Sequence, residues 1–425
     1  MPVTDFPSVL EIKDPLHGYI SLNELELKII DLRMSQSLRY IRAPAGIHLV
    51  YPGADSSQMG RMLGVMHVTE IFAEYLGGGE LEDVNKARLT AMLIYLTTGP
   101  WCNVMKEYLT VRGLDRAGMT RLVIENSPVT DTLKESSYSL NEIKDLVEKG
   151  VPIKGLRVNL MTTPINPELV DNLERDSYFA GVEYAQLEIR RLFEATRITK
   201  NKIAFDRNSL FTLDSYLTAN ANMFEAVYYH KTVRAAELML LRILDEAGSK
   251  LFPFPGEDLE GYLLCDDLTF DDILKSVTSE DSEGLRTAQR IFLDFKKRNL
   301  IKLASSRAIA DIAFHDTLKT PAGLLKVEAE IAEDAGIDSK NIYVDYPDRP
   351  SVSHYPGQQS MDDLVVFERG SRGYEFWPVE EASGIAKSFR RKLKTIRIYT
   401  TRGYRAKVKK SADSMLESFD GSGSL

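Results

Sequence analysis

Helical periodicity constrains this chain more than any other feature. Across residues 58–76 and 85–96, apolar residues recur every three or four positions, giving long amphipathic runs that need other helices to cover their apolar faces. The first run closes on Gly77-Gly78-Gly79, a helix stop. Asn23 is placed to cap a helix running through Arg33, and residues 34–42 continue as another. Further helical runs fall at 117–126, 140–148, 166–176 and 281–298, and residues 209–247 carry enough periodicity for one or two long helices.

Strand-like alternation is confined to a few places. Val9, Glu11, Tyr19 and Ser21 alternate around the turn formers Asp14-Pro15 and Gly18, which predicts a β-hairpin at about 9–21. A second ribbon is expected at about 190–205, around Lys200-Asn201. Beyond residue 330 the pattern changes: strand-like pieces at 341–346, 364–368, 395–399 and 404–408 surround one short helix near 385–393. The expected fold is mainly α. An all-helical core over 1–330 carries the hairpin and ribbon, a small α+β lobe spans 331–415, and a disordered tail covers 416–425.

With 425 residues, 44% of them hydrophobic, the chain can fill such a core. No stretch approaches the roughly 20 apolar residues of a membrane span, and the N-terminus lacks a signal-peptide pattern. A cytoplasmic protein without a membrane partner is expected. The two cysteines, Cys102 and Cys265, lie in apolar sequence and read as core thiols in a reducing compartment.

Charge is unevenly spread. Residues 387–410 hold eleven cations and no acid, so the rest of the chain carries −20 against a total of −9. Lys387, Arg390, Arg391, Lys394, Arg397, Arg402, Arg405, Lys407 and Lys409 are therefore candidates for binding nucleic acid or another polyanion. In that reading Arg390, Arg391 and Lys394 share a helix face and Arg405, Lys407 and Lys409 a strand face, with Tyr399 and Tyr404 near enough to stack on bases. A solvated surface, or a face that meets the acidic body of a second subunit, would use the same residues.

Five strings occur in a telling order. They are residues 12–20 (Ile12-Lys13-Asp14-Pro15-Leu16-His17-Gly18-Tyr19-Ile20), Gln36-Ser37-Leu38-Arg39-Tyr40-Ile41, Tyr51-Pro52-Gly53-Ala54 leading into Leu63-Gly64-Val65-Met66-His67, Leu173-Glu174-Arg175-Asp176-Ser177-Tyr178, and residues 227–237 around His230-Lys231. Together they resemble the HD-domain phosphohydrolases that include deoxynucleoside triphosphate triphosphohydrolases. The resemblance runs from about residue 9 to 410 and implies an HD-type helical core.

The resemblance also implies four metal ligands: a histidine, a His-Asp pair and an aspartate. At the corresponding positions this chain has Arg61, Ile94, Tyr95 and Glu168. Arginine has no lone pair to offer and stays charged, and isoleucine and a neutral phenol are poor partners for a divalent ion. Where relatives grip phosphate with cations, Gln58, Leu169 and Asn220 stand. Asn172, Asp176 and Tyr228 complete what would be a vestigial nucleotide pocket. An Arg61–Glu168 salt bridge is expected in the cation's place. The family's acid–base histidines become Thr98 and Asn103.

None of the six histidines (His17, His48, His67, His230, His315, His354) has metal-site spacing, and no nucleophile elbow, phosphate loop or dinucleotide fingerprint occurs. The sequence thus points to a catalytically inactive HD-domain pseudoenzyme with no cofactor. It would act as a binding, scaffold or regulatory protein, as a homodimer or higher homo-oligomer, with a nucleic-acid or protein partner. The alternative is an active metal-dependent nucleotide phosphohydrolase whose rebuilt site holds Mg²⁺ on Glu168, Asp171 and Asp176.

Overall fold

The computed structural model describes residues 8–77, 80–153, 156–159, 163, 165–199, 202–308, 312–346, 364–371, 373–389 and 395–420. In chain order the principal elements are β1 (Leu10–Asp14), β2 (Gly18–Leu22), α1 (Gln58–Gly77), α2 (Leu81–Tyr95), α3 (Arg116–Asn126), α4 (Pro167–Ala180), β3 (Thr196–Thr199), β4 (Lys202–Asp206), α5 (Leu210–Met223), α6 (Lys231–Ala247), α7 (Glu283–Lys296), β5 (Lys302–Ala308), α8 (Pro321–Ala335), β6 (Ile342–Asp345), β7 (Val365–Gly370), β8 (Gly373–Pro378), β9 (Thr395–Thr400) and α9 (Arg405–Asp420). The chain is mainly helical with small sheets, as its periodicity implies. Among the described residues no helix is long and apolar enough to cross a membrane.

Two compact units form. One comprises residues 1–223, 248–276 and 357–388, the other 224–247, 277–356 and 389–425. They interleave along the chain, where the sequence reading draws one boundary near residue 330. The reason is strand pairing. β7 and β8 fall within the expected C-terminal lobe, yet β7 pairs with β4 to complete a sheet of order β8-β7-β4-β3 in the first unit. The second unit keeps the sheet β6-β9-β5, covered by α8 and α9 around a core that includes Val327, Ile331, Ile342, Val344, Ile396 and Ile398.

Local chemistry explains the element ends. Asn23 accepts the Glu26 N–H at 2.9 Å while the Glu26 carboxylate accepts the Asn23 N–H at 3.0 Å, a reciprocal cap. The helix it starts stops at Ile30 rather than Arg33, because Ser35 Oγ and Gln36 Nε2 donate to the Ile29 and Ile30 carbonyls at 2.6 and 2.8 Å. A short helix (Arg33–Gln36) and a 3₁₀ turn (Ser37–Tyr40) replace the single helix expected over 34–42. Asn166 and Pro167 start α4, the asparagine accepting the Leu169 N–H at 2.6 Å.

Three other expectations are corrected. Residues 190–194 belong to a helical turn (Ile189–Glu194), not a strand, because it buries Leu192 and Phe193, the latter 4.9 Å ring to ring from Phe72 of α1. The ribbon begins only at Thr196. Residues 405–408 open α9 rather than forming a strand. Val408, Ala412 and Leu416, each fully buried, recur every fourth residue, and that is a helix period. The same helix carries residues 416–420 of the expected disordered tail, while 421–425 lie outside the described residues. The short helix expected near 385–393 is seen as Gly384–Phe389, with 390–393 likewise outside them.

In the first unit α1 packs along α2 and α4. The approach to α4 depends on Gly64. A Cβ there would run into the Arg175 guanidinium and the Asp171 carboxylate, which pair at 2.9 and 3.0 Å in the interior. Gly60, one turn earlier, has only ordinary contacts at 3.6 and 3.8 Å. Gly60→Ala should therefore gain up to about 1 kcal/mol from helix propensity. Gly64→Ala should lose about 1–3 kcal/mol through overpacking. Urea unfolding of the two variants checks this, and equal shifts of the same sign would contradict it.

Candidate functional site

The positions singled out for the metal come together on three packed helices of the first unit: Arg61 on α1, Ile94 and Tyr95 at the end of α2, and Glu168 on α4. All four are at most 5% exposed. A charge so buried is tolerated only with a hydrogen-bonded partner of opposite sign.

Glu168 has two partners. Arg116 of α3 donates from Nη1 to one carboxylate oxygen at 2.8 Å, and the Tyr95 hydroxyl donates to the other at 3.2 Å. The guanidinium also lies 5.4 Å from the Tyr95 ring centre. Burial pushes the Glu168 carboxyl up, but Arg116 and the hydrogen bonds outweigh it and hold the group below its ordinary value.

Arg61 is committed one and two turns further along α4. Its Nη1 donates to Asn172 Oδ1 at 2.5 Å, and its Nη2 pairs with the Asp176 carboxylate. The expected Arg61–Glu168 bridge is thus corrected. Glu168, Asn172 and Asp176 lie four residues apart and form one stripe of α4. Arg116 takes the first of these residues, and Arg61 the other two.

The adjoining stripe is a second buried network. Asp171 accepts from His17 Nε2 at 2.7 Å and from Arg175, and Arg175 reaches Asp14 of β1 at 3.0 Å. Burial pushes Asp171 up, but Arg175 and His17 together bring it down to about 2. Beyond His17, the His67 ring is 5.3 Å away, and Glu70 pairs with Arg88, which is itself held by Glu26 at 2.8 Å.

Glu168, Asp171 and Asp176 therefore answer to three different cations and do not converge. Among the described residues no group of three or more His, Cys, Asp or Glu side chains is arranged to hold a metal ion. A divalent ion does not fit the four positions: Arg61 and Ile94 offer no lone pair, the Tyr95 hydroxyl is spent on Glu168, and Glu168 is already neutralised.

The positions that the resemblance assigns to phosphate contacts are likewise buried. Gln58 Nε2 donates to Cys102 Sγ at 2.5 Å, and Leu169 and Asn220 are buried. Tyr228 is buried in the second unit, in the π-helical turn Phe224–Tyr228. Cys102 closes a turn in which Trp101 (φ 55°) and Cys102 (φ 42°) enter the left-handed region, a strain of about 1–3 kcal/mol per residue. The Trp101 N–H is anchored on Asp267 at 2.8 Å, a carboxyl pushed up to about 6 by burial. Burial likewise raises the Cys102 thiol to about 11, which disfavours the nucleophilic thiolate.

The basic cluster is scattered more widely than its sequence implies. Lys387 is exposed on a helix of the first unit, and Arg390, Arg391 and Lys394 lie outside the described residues. Arg397 faces the interior of the second unit: it donates to the Tyr229 carbonyl at 2.7 Å and stacks 3.7 Å from that ring. Tyr399 is fully buried and offers nothing to a base. Arg402, Tyr404, Arg405, Lys407 and Lys409 are exposed. Their backbone is helical from Arg405, so 405 and 409 share a face and 407 does not. Sequence reasoning missed Arg116 and the role of His17, whose partners lie 52 and 154 residues away.

A family model described as the HD associated region matches residues 187–419, more than half of the chain, and the chain belongs to this family. It resembles the uncharacterised protein YwfO of Bacillus subtilis, 26% identical over 242 residues, which are 55% of this chain and 55% of that protein. The deoxynucleoside triphosphate triphosphohydrolase SAMHD1 of Gallus gallus is 25% identical over 342 residues, 68% of this chain and 55% of its own length. A crystal structure of a hypothetical protein from Aquifex aeolicus matches with a TM-score of 0.74 and 25% identity, covering 95% of this chain and 99% of that one. The chain spans about half the length of the curated relatives it matches.

Glu174, on the same helix, yields a pH test. Its carboxylate accepts the Leu187 N–H at 3.0 Å, and burial pushes it up to about 7 from an ordinary 4.5. The folded protein then holds this proton where the unfolded chain has lost it, so stability falls as pH rises from about 4.5 to 7. Glu174→Gln should match the parent near pH 5 and exceed it by about 1–3 kcal/mol near pH 8. Denaturant titrations at the two pH values decide; a gain of equal size at both would contradict the assignment.

Proposed function

We propose that the protein is a non-hydrolytic HD-domain protein, a binding, scaffold or regulatory component in which buried ion pairs replace the family's metal. The observation that carries this reading is the pairing of Arg61 with Asn172 and Asp176 beside the Arg116–Glu168–Tyr95 cluster. A divalent ion placed there would meet two fixed guanidinium charges at low dielectric and would have to displace satisfied hydrogen bonds.

The nucleotide side supports the same conclusion. By the family resemblance, Asp176 corresponds to a position on the sugar or base side, and here it is neutralised by Arg61. Replacing three phosphate-binding cations by Gln58, Leu169 and Asn220 removes about 1.5–3 kcal/mol each. Those losses amount to several orders of magnitude in affinity. The resemblance adds the expectation of a homodimer or higher homo-oligomer, within which such a component would act.

The test is a panel of deoxynucleoside and ribonucleoside mono-, di- and triphosphates incubated with Mn²⁺, Mg²⁺, Co²⁺ or Ni²⁺, with released phosphate and nucleoside measured. Turnover should be indistinguishable from that of Glu168→Gln. Metal-dependent turnover that Glu168→Gln abolishes would overturn the proposal.

A further inference from the structure

We propose that the second unit binds the phosphate backbone of single-stranded nucleic acid on a surface built from two chain segments, residues 297–302 and 402–410. This deepens the reading of the chain as a binding protein. It rests on that reading only in taking association as the protein's task.

The sheet of this unit brings the two segments together. β9 and β5 run antiparallel with Thr400 opposite Lys302 and Tyr399 opposite Leu303, so the chain entering β5 and the chain leaving β9 lie at the same end. Arg405 fastens them, donating from Nε to the Leu303 carbonyl at 2.9 Å, and α9 then packs back along β5. Residues 297–302 add cations that the linear charge run does not include.

What distinguishes this surface is the absence of counter-charge. Many lysines elsewhere are matched by neighbouring acids, as Lys28 is with Glu24, Lys86 with Glu82 and Glu142, Lys144 with Glu125 and Lys275 with Asp271, and Arg33, Arg190 and Lys250, unpaired among the described residues, lie far apart in the sequence. Here Lys297, Lys302, Arg402 and Arg405 have no carboxylate partner among the described residues, nor have Lys407 and Lys410, which lie on another face of α9 than Arg405. The Asp294 carboxylate, at the end of α7, accepts from the Asn299 side-chain amide at 3.0 Å, and that of Asp413 is taken by Lys409 and Ser305. In a chain of net charge −9, an unneutralised surface of this kind suits an external polyanion.

Tyr404, 38% exposed between Arg402 and Arg405, selects among polyanions. Cations that follow a backbone beside an exposed aromatic ring are the elements by which proteins hold unpaired bases without reading sequence. Of the cluster's two tyrosines Tyr399 is fully buried, so Tyr404 is the one that can meet a base.

The experiment is fluorescence anisotropy of labelled single-stranded DNA and RNA of about 30 nucleotides, at about 50 and 200 mM salt. Three full-length proteins are compared: the parent, Lys297→Gln/Lys302→Gln/Arg402→Gln, and a control, Arg33→Gln/Arg190→Gln/Lys250→Gln, whose three residues are exposed in the first unit. The parent should bind, more weakly at high salt. The first triple variant should lose at least about tenfold in affinity and about two units of log–log salt slope, while the control stays within about twofold. Absence of parent binding at low salt would overturn the proposal, as would equal losses in both variants. It would also fall if the parent self-associated at low salt through these residues without binding either strand, which would identify the acidic surface of a second copy as the occupant. Each of these outcomes leaves the hydrolysis assay untouched, so the two readings fail separately.

Discussion

A carboxylate taken out of water needs a cation, and α4 carries three that are nearly inaccessible: Glu168, Asp171 and Asp176. The surrounding architecture follows from meeting that demand. Arg61 reaches in from α1, Arg116 from α3, and Arg175 of α4 itself links Asp171 to Asp14 in the N-terminal hairpin, with His17 beside it. Gly64 is required so that α1 can lie close enough to this array. Removing one member of such a pair leaves an uncompensated buried charge, at a cost of about 3–5 kcal/mol. The same charges thus hold the helices together and, as we propose, stand where the family's metal would.

Much of the helical framework is legible because local and tertiary preferences agree. Asn23 with Glu26, Asn166 with Pro167, and the apolar spacing of 58–76 each mark an element that packing then retains. The failures have physical causes. Residues 404–408 alternate polar and apolar over a window too short to reveal a period, and only the recurrence of Val408, Ala412 and Leu416 identifies the helix. Residues 190–194 read as strand, but burying Leu192 and Phe193 against Phe72 is better served by a helical turn.

The candidate site was legible in its residues and not in its pairings. Arg61, Ile94, Tyr95 and Glu168 were located through the resemblance to the family's motifs. Nothing in those motifs says that Arg116 takes Glu168, or that Arg61 faces Asn172 and Asp176, because these partners are chosen by helix packing over long sequence separations. The basic cluster shows the converse. A run of cations looked like one surface, yet strand pairing turns Arg397 inward and recruits Lys302 from almost a hundred residues earlier.

The central claim, that fixed charges within the protein occupy the place of the family's metal, is tested most directly by titrating the purified protein with Mn²⁺ in a calorimeter, alongside Glu168→Gln and Arg61→His. The account predicts no saturable binding to the parent protein and none that Glu168→Gln removes. It allows metal affinity to appear only once Arg61 is replaced by a residue with a lone pair. A saturable site in the parent that disappears in Glu168→Gln would contradict it.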